Sequence, residues 1–277
     1  MNPTAFAIVA GAAVCHAIWN AMVKAGRDRA VTLAAISFSN FLVGAVLVFF
    51  APLPAAQSWP LLLASALLHN GYYIGLNYAY RFGDLSQVYP LARGMAPALV
   101  AIAAYLTIGE VLPVEAIVGL ALVSVGIALL CFSRSATPRD PRALAAAAAT
   151  GTIIAAYSLA DGIGARLSDA PLGYISWLFL LEFPTAATTL IRRRHAIRAA
   201  AGSALAGLVP GFLSVLAYGG VIYAATIAPL AVVSALRETS VVLAALFGIF
   251  LFGERPIGLR LVSAVVVLSG IIFIATA

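Results

Sequence analysis

Ten stretches of about 20 apolar residues, each closed by a charged or proline-rich break, leave this 277-residue chain few ways to fold. A helix of that length crosses the hydrocarbon core of a bilayer. The stretches lie near 3–23, 31–50, 60–80, 86–108 and 113–133, then near 143–164, 171–191, 203–224, 230–252 and 257–276. With 63% hydrophobic residues, 9% charged residues and a mean hydropathy of +1.05, a soluble domain could not hide the apolar surface. The fold class expected is an all-α polytopic membrane protein.

The chain also repeats itself. At a single offset of 144 residues, Gly75 falls on Gly219, Val88 on Val232, Arg93 on Arg237, Leu99 on Leu243, Gly126 on Gly270 and Ile127 on Ile271. The break at 134–142, with Pro138 and Pro141, marks the joint, so 1–137 and 138–277 are expected to be two five-helix repeats. An odd number of crossings inserts the second repeat upside down relative to the first, which makes the pair an inverted repeat. The N-terminal stretch has no basic region ahead of its apolar run and reads as a retained first helix.

The net charge of +6 does not indicate nucleic acid, because the basic residues sit in short clusters between apolar runs. Thirteen Lys and Arg residues fall on one side of the ten-span topology, from Lys24, Arg27 and Arg29 to Arg255 and Arg260, and only Arg166 falls on the other. The positive-inside rule makes the rich side cytoplasmic and both termini periplasmic. Cys15 and Cys131 lie inside apolar spans with no disulfide or metal spacing. No HExxH, GxSxG or P-loop pattern occurs, so neither an enzyme nor a cofactor is expected.

Arg93 and Arg237 stand out because a charge at the bilayer centre costs about 2.5–3.5 kcal/mol on insertion scales. Each lies seven residues into its span, about 10 Å along the axis, and the two spans enter from opposite faces. Such a midplane pair suits a solute site between repeats, where one or both guanidiniums hold a carboxylate. The competing reading is a lock, in which they pair with Glu238 or with carbonyls to join the halves. Side chains at i and i+1 point about 100° apart on a helix, so Glu238 is expected to find its partner across the interface, with Arg93 as the candidate.

Polar and aromatic stripes suggest the walls of a cavity. His69, Tyr73 and Asn77 recur at helical spacing on the third span, and His16, Asn20 and Lys24 on the first with Trp19 alongside, while Tyr89 precedes Arg93 by one turn. Tyr157 occupies a place resembling Trp19 at an offset of 138. The alternative for His and Asn is hydrogen bonding between helices. Asp161 and Glu182 are two further acids inside spans, each able to carry a proton or donate a hydrogen bond. Glu110 and Glu254, each between a Gly and a Pro that opens the next span, read as structural. Gly119 with Gly126, and Ser263 with Gly270, suit close helix contact, which makes the fifth and tenth spans scaffold.

Two five-span halves, each with a Gly-Glu turn followed by a span carrying a late Gly (Gly109-Glu110 to Gly126, Gly253-Glu254 to Gly270), resemble the EamA family of the drug/metabolite transporter superfamily. The resemblance implies ten helices in an inverted repeat and a central cavity from spans 1, 3, 4, 6, 8 and 9. It also implies secondary transport of small organic solutes, often outward across the bacterial inner membrane, with amino-acid exporters of the YddG type as a functional analogy. Members of that type are drawn with cytoplasmic termini, whereas the charge bias here argues the reverse. The expected function is export of amino acids or related zwitterionic metabolites by alternating access, with the lipid bilayer and a small solute as the partners. The alternatives are transport of phosphorylated or nucleotide-linked sugars, or a membrane-embedded enzyme acting on lipid-linked substrates. The oligomeric state is left open, a monomer being sufficient.

Overall fold

Apolar side chains without period-2 alternation, in runs of membrane length, satisfy their own backbone groups only as helices. The computed structural model describes residues 2–25, 29–79, 85–131, 141–192, 194 and 201–277, and its long elements are all helical. The helices are α1 (Pro3–Ala25), α2 (Arg29–Leu47), α3 (Trp59–Ala79), α4 (Leu85–Ile108), α5 (Val114–Cys131) and α6 (Pro141–Leu167). They continue with α7 (Pro171–Leu181), α8 (Phe183–Arg192), α9 (Ala201–Ala225), α10 (Leu230–Arg237), α11 (Thr239–Phe250) and α12 (Ile257–Thr276). No strand occurs among the described residues. Among the described residues, six segments are long and apolar enough to cross a membrane: α1, the main parts of α4, α6 and α9, the joined α10 and α11, and α12.

Eight of the ten expected spans are single helices. The seventh and ninth are interrupted, and each interruption centres on a buried glutamate. Glu182 separates α7 from α8 and Glu238 separates α10 from α11, both with ψ near zero (−6° and −9°). Pro184, two residues past Glu182, has no N–H for the bond a continuous helix would need there. At Glu238 no proline is responsible. Its N–H bonds Ala235 O at 3.0 Å and its own carbonyl accepts from Val241 at 2.8 Å, both i to i−3 bonds.

The packing runs in matched pairs. α5 lies along α12, and α2 along α7. α1 packs on α9 as α3 packs on α6; α4 packs on α6 as α1 packs on α10 and α11; α2 packs on α9 as α3 packs on α7; α4 packs on α5 as α11 packs on α12. Exchanging each helix for its counterpart 138–144 residues away maps these main contacts onto one another. The α5–α12 crossing fits the expected scaffold. A Cβ on Gly119 would meet Gly270 O at 2.5 Å, one on Gly270 would meet Gly119 O at 2.5 Å, and Ser263 Oγ donates to Gly126 O at 2.5 Å.

Both halves end their fourth span alike. Gly109 and Gly253 have φ of 65° and 62°, a left-handed conformation that glycine adopts without strain. The next N–H then bonds back six residues, Glu110 to Ala104 O at 3.3 Å and Glu254 to Gly248 O at 2.9 Å. This left-handed glycine cap satisfies carbonyls otherwise orphaned at a helix end.

Candidate functional site

The broken ninth span brings three charged side chains together. Arg93 Nε donates to Glu238 Oε2 at 3.0 Å, and its Nη2 lies 3.5 Å from Ser240 Oγ. Arg237 Nε lies 3.6 Å from the other oxygen, Oε1, close enough for ionic attraction but without a hydrogen bond. The expected pairing of Glu238 with Arg93 across the interface is present. The argument that adjacency keeps Glu238 away from Arg237 fails, because the helix stops at Arg237 and the 100° rule does not hold through the joint. All three are buried: Arg93 is 5% exposed, Arg237 4% and Glu238 0%.

One carboxylate thus faces two guanidiniums, and the two arginines are not equivalent. Arg93 is engaged by Glu238 and Ser240, whereas Nε and Nη2 of Arg237 are buried without a hydrogen-bond partner among the described residues. A buried donor left unbonded costs its full desolvation. Arg237 lines a cavity whose walls come from α6 (Ser158, Asp161, Gly162), α9 (Tyr218, Val221, Ile222, Ala225) and α10 (Leu230, Val233, Ser234). The Oγ atoms of Ser158 and Ser234 are likewise buried and unbonded. Space open to the centre of a water-sized sphere amounts to about 20 Å³, room for one or two water molecules.

Asp161 supplies the negative wall. It is 2% exposed, and both oxygens accept phenol hydrogens, Oδ1 from Tyr174 at 3.2 Å and Oδ2 from Tyr218. A layer of rings stands behind it. His69 stacks on Tyr157 with centroids 4.2 Å apart and meets Tyr218 edge-on at 5.1 Å, while its Nδ1 lies 3.0 Å from Ser65 O. His69 and Tyr157 therefore support the cavity through Tyr218; they are not part of its wall. Glu182 forms a separate polar centre, accepting from Asn40 Nδ2 at 3.3 Å.

The first-span candidates turn toward their own helix. Asn20 Nδ2 donates to His16 O at 2.8 Å, and Trp19 meets His16 edge-on at 5.0 Å, its indole N–H without a hydrogen-bond partner among the described residues. The side chains of Tyr73, Asn77 and Tyr89 lie outside the described residues. Sequence reasoning passed over Tyr174, Tyr218 and Ser234 as site residues. One signal was available: Ser158 with Asp161, and Ser234 with Arg237, are i, i+3 pairs that each put a hydroxyl and a charge on one helix face.

Apolar membrane-length helices packed around a buried, charge-lined cavity define a multi-pass membrane protein. Residues 4–132 match the model of the EamA-like transporter family. The second half is tied to the first by the 144-residue repeat. No curated protein matches the sequence. A solved structure titled "Crystal structure of protein" aligns over 100% of this chain and 97% of its own, with a TM-score of 0.75 at 18% identity, a likeness of fold alone.

Proposed function

We propose that this protein is a secondary transporter that exports amino acids or related small zwitterionic metabolites across the inner membrane by alternating access. The observation that carries the reading is Arg237, whose two unbonded N–H donors line the same cavity as the Asp161 carboxylate. A guanidinium with free donors suits a carboxylate, and the hydroxyls of Ser158 and Ser234 add further donors. Asp161, opposite in charge, suits an ammonium group. With Glu238 offsetting one guanidinium, the three-charge cluster has a single net positive charge. That favours a monoanionic carboxylate over a phosphate dianion, so sugar phosphates rank below amino acids. The cavity's small volume is what a transporter presents when its solute path is closed.

Ten crossings in two inverted repeats are supported by contacts between chain ends that the topology brings to one face. Lys24, at the end of α1, bonds Glu254 after α11, and Arg166, at the end of α6, bonds Glu110 after α4. Ala55 N, before α3, donates to Ser168 O, just past α6, at 2.9 Å. Alternating crossings put each of these contacts on a single side, and the matched helix packing has the two-fold character an inverted repeat requires. The basic side is assigned to the cytoplasm and both termini to the periplasm on the charge bias.

The test is counterflow in proteoliposomes, each loaded with one unlabelled amino acid or sugar phosphate and offered the labelled form outside. Uptake with one or more amino acids is the expected result. Uptake with sugar phosphates alone would replace the reading, and exchange of neither class would remove it.

A further inference from the structure

Two ion pairs at the ends of the molecule join one half to the other, and the site described above uses neither. On one face, Lys24 Nζ of the first half lies 2.5 Å from Glu254 Oε1 of the second, with the ammonium 4.4 Å from the centroid of the Phe252 ring. On the other face, Arg166 Nη2 of the second half lies 3.4 Å from Glu110 Oε2 of the first. The two glutamates stand at matched places, one residue past the left-handed glycines that end the two fourth spans. The two cations stand at matched places as well, in the last turn of the first helix of each half.

Each pair has one member fixed within the second half and the other supplied by the first. Glu254 keeps a second cation from its own half, Arg260 Nη2 at 2.8 Å. Arg166 keeps two carbonyls of its own half, Ala225 O at 2.8 Å and Ala228 O at 2.7 Å. Separation of the halves at one face breaks the bond to Lys24; at the other it breaks the Arg166–Glu110 pair together with Ala231 N to Glu110 Oε1 at 3.4 Å and Ala55 N to Ser168 O at 2.9 Å; at each face the fixed member is left solvated or paired. The side chains are part-exposed, 38% and 17% in one pair and 31% and 12% in the other, so water replaces the lost partner at little cost. These are properties of a latch, not of a buried lock such as Arg93 with Glu238.

We infer that Lys24–Glu254 and Glu110–Arg166 are the two latches of the transport cycle, released alternately to open the solute path to one face and then the other. The inference rests on the transporter reading and on alternating crossings: three helices, α2 to α4, separate Lys24 from Glu110 and put them on opposite faces. Both latches are made in this structure, in keeping with its small cavity.

The test reads accessibility and so needs no identified solute. The full chain, with Cys15 and Cys131 replaced by Ser, carries Ser234→Cys on the cavity wall and is reconstituted in vesicles of known orientation. A membrane-impermeant maleimide is then applied to each face in turn. Lys24→Met is expected to raise the labelling rate several-fold from the Lys24 face and lower it from the other, with Glu110→Gln giving the mirror image. Unchanged rates in both variants, or a shift toward the same face in both, would overturn the inference while leaving transport intact. An introduced thiol unreachable from either face in every variant would remove the solute path as well. A second measurement guards against misfolding: Lys24→Cys with Glu254→Cys, bridged by a reducible bis-thiosulfonate reagent, should block labelling from that face only and recover on reduction. Undiminished labelling from the bridged face would equally overturn the inference.

Discussion

Glu238 holds two cations out of reach of the surrounding solvent. It is fully buried, with Arg93 hydrogen-bonded to one oxygen and Arg237 in ionic contact with the other. Removing one member of a buried ionic group leaves the rest uncompensated, at about 3–5 kcal/mol. Glu238→Gln should therefore lower the melting temperature of the detergent-solubilised protein sharply, as followed by intrinsic fluorescence. The arginines should separate in the same assay. Arg93→Gln loses the short bond to Glu238 and should melt well below the parent, whereas Arg237→Gln, which leaves Glu238 paired with Arg93 and breaks no hydrogen bond among the described residues, should melt closer to it. This part of the site was legible because charges stand out in an apolar chain. Asp161 with its tyrosines was less so: Tyr174 and Tyr218 reach it across 13 and 57 residues, from positions no local spacing marks.

Helices were legible in extent and not in continuity. The apolar runs gave the ends of most spans within a few residues, because length and hydropathy are local properties. The breaks at Glu182 and Glu238 are not local in the same way. Pro184 gives a hint of the first, whereas the second accompanies a carboxylate shared by two arginines, one of them 145 residues away. The α5–α12 crossing was readable from its small residues, since only such side chains let backbones approach so closely. Gly119→Val should place atoms against the Gly270 carbonyl and cost about 1–3 kcal/mol or more through overpacking. A lower melting temperature, with a matching loss for Gly270→Val, is the expected measurement; full stability in both would mean that the two helices stand farther apart. Gly253→Ala, at φ 62°, should cost about 1–2 kcal/mol on conformational grounds alone.

At the scale of the whole molecule, the repeat explains why two halves of unlike sequence pack through corresponding contacts. It also predicts orientation. On the proposed topology, ten crossings would put both termini on one face, and thirteen basic residues against one would put that face outside the cytoplasm. Reporter tags at the N- and C-terminus should both be reached by impermeant reagents on intact cells; tags on opposite faces would remove the ten-span count. Basic loops and apolar runs made this level legible. Which arginine is left open to the cavity was not legible, because it depends on which of the two repeat-related side chains Glu238 engages more closely.

The central claim is that Arg237 is the arginine that holds the solute's acid group. Amino-acid counterflow by Arg237→Gln, at a protein density matched to the parent and with its melting temperature verified, tests this most directly. The account predicts exchange reduced at least a hundredfold, in line with the loss of a charged, buried contact of about 3 kcal/mol. Exchange at the parent rate would contradict it and assign both arginines to holding the halves together.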